Sequence, residues 1–260
     1  MTAPRGRRTL AIDIGGTGLK AVPLDSAGAM VGERARIPTP YPLSPERLVE
    51  VLTGLVTPMR PFARVSAGFP GVVRGGLVRT APHFVSRTGP GGKRDGKLAR
   101  AWAGFPLADA LATALGVPAR VANDADIQGA AVITGAGIEL VVTLGTGVGT
   151  ALFADGRLAP HLELAQHPLH KDKTYNERLG DAARRKAGGR RWQERVLAAF
   201  ETLDVLVNYD RLFVGGGNAV RLTGTLPPKV TVVSNDAGML GGIKLWDTRV
   251  FPDVTSRPPA

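Results

Sequence analysis

Two stretches of this 260-residue chain, about 130 positions apart, follow the same pattern. Ile12-Asp13-Ile14-Gly15-Gly16-Thr17 and Val142-Thr143-Leu144-Gly145-Thr146-Gly147 each run from apolar residues into a Gly/Thr turn. Each continues through a second apolar run to an acidic turn, Leu24-Asp25 and Ala154-Asp155-Gly156. A strand–turn–strand unit used twice predicts two related α/β lobes with a cleft between them, rather than one continuous sheet. The expected division is 1–122 and 123–260, with the last helix packing back on the first lobe.

The local signals fill in that frame. Thr9–Asp13 and Leu19–Asp25 read as strands, and Met30–Ile37 as a third. Ser44-Pro45-Glu46 opens a helix with a cap, a first-turn proline and an acid at the positive dipole end. Leu48, Val51, Leu52, Leu55 and Val56 carry its helical spacing. Val65–Pro70 is a strand running into a Gly/Pro loop, and Val72–Thr80 a hairpin about Gly75-Gly76. Arg87–Lys97, rich in glycine and basic residues, reads as a mobile loop. Pro106–Leu115 is helical, Ala119–Asn123 is a strand, and Asp124–Ile133 continues as a helix. Arg191–Val207 is a helix with Val196, Phe200, Leu203 and Leu206 on one side. Arg211–Val214 is a strand, and Asp236–Trp246 the last helix.

Composition narrows the chemistry. With 43% hydrophobic and 21% charged residues the chain has the make-up of a folded globular protein. It has no cysteine, which excludes disulfides, a thiol nucleophile and thiolate metal sites. No apolar run reaches the roughly 18 residues of a membrane span, and MTAPRGRR leads into a strand rather than a signal sequence, so a cytoplasmic protein is expected. The net charge of +11 favours anionic partners without naming one. Aromatic residues are only 5%, and no basic stretch is interleaved with them, so nucleic acid is not the expected partner.

Four segments could carry chemistry. In Asp13-Ile14-Gly15-Gly16-Thr17-Gly18-Leu19-Lys20 the glycines allow backbone amides to approach phosphate oxygens, and Thr17 adds a hydroxyl. Asp13, at a strand end, suits a hydrated Mg²⁺. The plainer reading is a tight hairpin that needs glycine. The second segment, Leu144-Gly145-Thr146-Gly147-Val148-Gly149-Thr150, repeats the first and could cradle the same phosphate chain. The third, Val121-Ala122-Asn123-Asp124, delivers a carboxylate that could accept a hydroxyl proton as oxygen attacks phosphorus, or simply cap a helix. The fourth, Gly215-Gly216-Gly217-Asn218, permits close approach of a ligand, or is an ordinary turn. P-loop and Rossmann signatures are absent. His161, Glu163, His167 and His170 lie close in sequence, but their spacing matches no closed metal shell, and no zinc site is expected.

These segments together resemble the ROK family of sugar kinases, and within it the polyphosphate glucokinase branch. The matching stretches are AIDIGGTGLK (11–20), GFPGVV (68–73), VANDADIQG (121–129), TLGTGVGTALF (143–153), TYNERLGDAA (174–183), LFVGGGNA (212–219) and GGIKLW (241–246). The resemblance implies the duplicated two-lobe fold of the sugar kinase and actin superfamily, with the active site in the interlobe cleft. It implies a phosphotransferase with an alcohol acceptor that uses Mg²⁺ and acts as a homodimer. Asp13, Gly15, Gly16, Thr17, Gly18 and Lys20 match the first phosphate loop, and Gly145, Thr146 and Gly147 the second. Gly215, Gly216, Gly217 and Asn218 match the loop near the distal phosphates or nucleotide. Asp124 matches the base that activates the sugar hydroxyl. Gly68, Pro70, Gly71, His83, Asn123, Glu163, Gln166 and Asn176 fall on the substrate side.

The departures gather on the acceptor side. The family's E-x-G-H reads Glu163-Leu164-Ala165-Gln166. His83 follows Thr80-Ala81-Pro82 where the branch usually has Asn, and the Glu expected two or three residues before Leu179-Gly180 falls on Asn176 or on Glu177 beside it. Ser86–Arg100 looks like an insertion near the cleft mouth. Sugar selection is hydrogen-bond matching in a dry pocket, so such changes predict a changed or relaxed acceptor, glucose or a related sugar. Polyphosphate or ATP is the expected donor. Arg87, Lys93, Arg94, Lys97 and Arg100, with Arg184, Arg185, Lys186, Arg190 and Arg191, could line a track for a polyanion. The competing reading is a catalytically inactive sugar sensor on the same scaffold.

Overall fold

The computed structural model describes residues 7–234 and 241–252. They form two units. One runs to Ile127 and is resumed by Gly241–Trp246; the other begins at Gln128.

In the first unit β1 (Thr9–Ile14) and β2 (Gly18–Leu24) form an antiparallel hairpin, and β3 (Ala35–Pro38) extends it at the edge. The expected third strand is thus shorter at its start; Met30 makes only an isolated bridge to Leu24. β1 is also parallel to β4 (Arg64–Phe69), and β4 to β7 (Ala119–Asn123), giving the order β3-β2-β1-β4-β7. β1 and β4 are almost continuously buried, as strands covered on both faces must be. On one face lie α1 (Pro45–Val56) and, after the short hairpin β5 (Val73–Arg74) and β6 (Leu77–Val78), two further helices. Ser44 caps α1 by accepting from the Arg47 amide at 3.2 Å, and Leu48, Leu52 and Val56 form its buried stripe. α3 (Leu107–Leu115) repeats that spacing with Leu107, Leu111 and Leu115, and ends at Gly116 with φ 68°.

Residues 87–97 are tied down rather than loose. Ser86 is buried and bridges Arg94, and the Asp95 amide donates to the Val85 carbonyl at 2.6 Å. Asp95 then caps α2 (Gly96–Trp102) through the Lys97 and Leu98 amides. α2 delivers Trp102 into a cluster with Phe69 and Phe84, whose ring centroids are 5.4–5.5 Å apart. The Trp102 indole N–H donates to the Leu43 carbonyl at 3.1 Å. The anchor is an aromatic core, a signal outside the glycine-rich segment itself.

The other face is closed by Gly241–Trp246, a 3-10 turn; residues 236–240 of the expected last helix lie outside the described residues. Ser66 Oγ donates to the Gly242 carbonyl at 2.6 Å and accepts from the Trp246 indole at 2.8 Å. The Arg64 and Arg120 guanidiniums sit 5.0 and 4.4 Å from the Trp246 ring. A side chain at Gly241 would collide with the Ile127 carbonyl, and one at Gly242 would lie 3.2 Å from Ala11. Glycine is therefore required by this contact.

The second unit repeats the topology. β8 (Ile138–Leu144) and β9 (Val148–Ala154) form the hairpin, β10 (Arg157–Leu158) the edge, and β13 (Arg211–Gly215) and β14 (Val230–Val232) the parallel continuation. The order β10-β9-β8-β13-β14 matches that of the first sheet, strand for strand. Between hairpin and continuation come a second short hairpin, β11 (Pro168–His170) with β12 (Lys173–Thr174), and helices α5 (Tyr175–Leu179), α6 (Asp181–Ala187) and α7 (Gly189–Val207). α7 buries Trp192, Val196, Ala199, Phe200 and Leu203; Leu206, expected on that face, is 59% exposed because the helix ends at Asn208 with φ 50°.

α4 (Asp124–Ala130) joins the end of β7 and stops short of the expected Ile133. Beyond it the Ala131 and Val132 amides turn back to the Gln128 and Gly129 carbonyls, and the loop that follows is fastened by Glu139, which has no solvent exposure. Its carboxylate accepts from the Thr134 amide, the Thr134 hydroxyl and the Gly135 amide, each at 2.8 Å. Replacing Glu139 by Ala orphans those donors and should cost about 3 kcal/mol. Urea denaturation should show the lowered midpoint; an unchanged midpoint would mean water satisfies the loop equally well.

Candidate functional site

In the first unit the expected residues meet at the C-terminal ends of parallel strands, the edge at which α/β sheets place their ligands. Asp13 on β1 is in register with Gly68 on β4, which is in register with Ala122 on β7. The first two glycines of the turn between β1 and β2 have no space for side chains. A Cβ on Gly15 would lie 2.8 Å from the Gly18 carbonyl, and one on Gly16 would lie 2.8 Å from Pro90 and 3.1 Å from His83. The turn carbonyls are held from one segment. Thr39 Oγ1 donates to the Gly15 carbonyl at 2.6 Å, and the Tyr41 hydroxyl to the Gly16 carbonyl at 2.7 Å. Burial pushes the Tyr41 hydroxyl up to about 12, so it stays protonated and remains a donor. The Gly16 and Thr17 amides have no hydrogen-bond partner among the described residues.

Lys20 Nζ lies 2.6 Å from Asp13 Oδ2, across the hairpin. The other carboxylate oxygen of Asp13 has no partner among the described residues. One open carboxylate oxygen beside two open amides fits Mg²⁺, which takes one or two carboxylates and completes its shell with water and substrate phosphates. Among the described residues no group of three His, Cys, Asp or Glu forms a cage.

The end of β7 divides two roles between neighbours. Asn123 is 4% exposed. Its Nδ2 donates to the Gly71 carbonyl at 3.1 Å, and its Oδ1 accepts from the Ala125 amide at 2.8 Å. Asn123 therefore caps α4 and stitches the Gly68–Gly71 loop to β7. Asp124 is only partly buried and accepts from the Ala125 amide at 2.9 Å through Oδ1. Gly68 lies against it: a Cβ there would be 3.5 Å from the Asp124 Cα. Pro70 and Gly71 are buried, and Gly71 abuts the Thr80 carbonyl.

The second unit builds its turn with different tools. The Gly145 amide donates to the Gly147 carbonyl at 2.9 Å, closing the turn after β8. The Gly145 carbonyl accepts from the Asp181 amide at 3.0 Å and from Asn218 Nδ2 at 3.1 Å. The Asn218 amide donates to the Leu144 carbonyl at 2.9 Å, and Gly216, with φ 86°, packs directly under Leu144. Asn176 Oδ1 accepts from the Val148 amide at 2.6 Å and touches Gly147. Asn176, expected on the substrate side, thus supports the Gly145–Gly147 turn. The Thr146 and Gly147 amides have no hydrogen-bond partner among the described residues. Glu163 Oε2 lies 3.7 Å from His161 Nε2, and Gln166 is exposed. No hydrogen bond among the described residues links Glu163 or Gln166 to the glycine turns.

Asp181 escapes the sequence reading. Hydrogen bonds from Arg184 hold its carboxyl below the usual range; the charges of Arg185 and Arg184 and a bond from Asn218 add to this, against partial burial. Arg184 Nη2 is 2.8 Å and Arg185 Nη2 3.0 Å from it. An acid at the start of α6 followed by arginines at i+3 and i+4 is the available signal.

The ROK family model matches residues 9–160. Polyphosphate glucokinase of Mycobacterium tuberculosis is 27% identical over 254 residues, covering 90% of this chain and 89% of that protein. N-acetylmannosamine kinase of Citrobacter koseri is 34% identical over 169 residues, 62% of this chain and 53% of that one. Among solved structures, the inorganic polyphosphate/ATP-glucomannokinase from Arthrobacter sp. strain KM has a TM-score of 0.76 at 28% identity, covering 92% of this chain and 98% of that chain. A ROK family glucokinase from Streptomyces griseus shares the fold, with a TM-score of 0.70 at 17% identity, over 92% and 98% of the two chains.

A depressed carboxyl stabilises the fold above its unfolded pKa, and that contribution is lost as pH falls through the folded value. The Asp181 network should therefore be complete above about pH 4 and vanish at lower pH. Thermal melts of the wild type and Asp181→Asn across this range should differ near neutrality and converge in acid. A constant offset would assign the stabilisation to another group.

Proposed function

We propose, from the premise that the chain belongs to the ROK family and is a phosphotransferase with an alcohol group as acceptor, that it moves a phosphoryl group from polyphosphate or ATP to a hydroxyl of glucose or a related sugar. The observation that carries this reading is the division of labour at the end of β7. Asn123 is buried and ties the Gly68–Gly71 loop to β7, while Asp124, which shares the Ala125 amide with it, places a partly exposed carboxylate at the carboxyl edge of the sheet, in contact with Gly68.

In this reading the Asp124 carboxylate accepts the proton of the sugar hydroxyl as its oxygen attacks the terminal phosphorus. The new O–P bond forms as the bond from that phosphorus to the rest of the donor breaks. The Gly16 and Thr17 amides, and those of Thr146 and Gly147, hold phosphate oxygens. Asp13, steadied by Lys20, would hold Mg²⁺, which when bound neutralises charge on the donor phosphates. The partners are the sugar, the donor and a second copy of the chain, in the cytoplasm. No helix among the described residues is long and apolar enough to cross a membrane.

Three relatives named for different hexoses, together with His83 and Gln166 at altered positions, support a relaxed acceptor. The basic balance supports polyphosphate as a donor. Arg184 and Arg185 are taken up by Asp181, and Arg87 lies 3.7 Å from Asp95. Lys93, Arg94, Lys97, Lys186 and Arg191 have no ion-pair partner among the described residues and remain available to a polyanion.

The test is a phosphotransfer assay with Mg²⁺, crossing polyphosphate and ATP with hexoses, amino sugars and polyols. Asp124→Asn should lower kcat by about 10²–10⁴ with an unchanged melt; full activity would remove Asp124 from this role. Sugar binding by the wild type without transfer to any acceptor would replace the kinase by a sensor. Turnover with long polyphosphate should fall steeply with added salt, more than turnover with ATP. Equal salt responses would contradict a basic track.

A further inference from the structure

The hydrogen bonds behind the β1–β2 turn determine more than its shape. A trans peptide is planar, and its C=O and the N–H of the next residue point in opposite directions. The Gly15 carbonyl and the Gly16 amide belong to one such plane, and the Gly16 carbonyl and the Thr17 amide to the next. Thr39 Oγ1 holds the first carbonyl at 2.6 Å, and the Tyr41 hydroxyl holds the second at 2.7 Å. The Thr39 amide also approaches the Thr17 carbonyl, at 3.5 Å. All three turn carbonyls thus face the 39–41 segment, and the Gly16 and Thr17 N–H groups are turned together to the opposite side.

We propose that Thr39 and Tyr41 are positioning residues that aim the Gly16 and Thr17 amides at one phosphate oxygen of the donor. This rests on the kinase reading above and assigns two residues that its motifs do not contain. Accepting a hydrogen bond at the carbonyl also polarises the peptide, making the amide of the same plane a stronger donor. The device is built to persist. Thr39 is 8% exposed, and burial keeps the Tyr41 hydroxyl protonated. The Tyr41 ring is braced by the 86–100 segment: at Gly89, with φ 93°, a Cβ would lie 2.8 Å from the ring. The next residue, Pro90, stands 2.8 Å from where a Gly16 side chain would begin. Gly89 and Pro90 therefore press on both ends of the Tyr41–Gly16 bond and become part of the donor loop's support.

The test uses Tyr41→Phe and Thr39→Val, each of which removes a hydroxyl and little else, with Thr39→Ser as the variant that restores one. Calorimetry with inorganic tripolyphosphate should show binding weakened about three- to tenfold in each of the first two. The KM for donor should rise in step, while the KM for sugar and the melting temperature stay near wild type, and Thr39→Ser should recover most of the loss. In wild-type protein the Gly16 and Thr17 amide resonances should move downfield on adding tripolyphosphate; in Tyr41→Phe the Thr17 shift should shrink. Unchanged tripolyphosphate affinity in both variants would overturn the proposal. So would parallel losses of donor binding, sugar binding and melting temperature, which mark a merely structural role. If the wild type transfers no phosphate but binds tripolyphosphate with these shifts, the positioning role stands and the kinase reading falls. If it binds no tripolyphosphate and its amides do not move, the positioning role is overturned whatever its activity.

Discussion

A side chain cannot stand where the surrounding protein already touches the backbone, and that steric condition shapes the glycine turns of both units. The turn after β1 is confined by His83 and Pro90 at Gly16. The turn after β8 is confined by Asn176 at Gly147, and Gly180 packs against the Thr146 carbonyl. In each case the hairpin is fused to a parallel strand, so the turn projects from the carboxyl edge of the sheet. Two sheets with one strand order therefore present the same kind of open, amide-lined turn.

The turns are alike, but their supports are not. The first is held from behind by hydroxyls, Thr39 and Tyr41, which carry no charge and are insensitive to pH near neutrality. The second is held by the Asp181 backbone amide and the Asn218 side chain, both donating to the Gly145 carbonyl, and the Asp181 carboxylate is in turn paired with Arg184 and Arg185. Carboxylates near the turns are thus mostly committed to partners: Asp13 to Lys20, Asp181 to its arginines. At the end of β7 the Ala125 amide is shared: the buried Asn123 and the partly buried Asp124 both accept from it.

Signals that act over a few residues were legible. The Ser44-Pro45 helix start, the 48–52–56 stripe and the two hairpins depend on local capping and periodicity, and they stand where the pattern puts them. Errors arose where a distant group overrides local preference. The chain leaves α4 at Ala130 and enters a loop fastened by the buried Glu139. Trp102 anchors a glycine-rich segment that reads as loose. The bond from the Val148 amide to the Asn176 oxygen spans 28 positions and has no local signal either.

The sequence alone determined the repeat, the glycine turns and the family, because glycine spacing and apolar runs are properties of the chain that survive without coordinates. Only the tertiary structure decided which residues serve those turns. Tyr41 and Gly16 are 25 residues apart, and Asn218 and Gly145 are 73 apart. No periodicity connects such positions. A single hydroxyl or amide becomes a support only when folding brings it within hydrogen-bond distance of one carbonyl, and that distance is set by the packing of whole strands and helices.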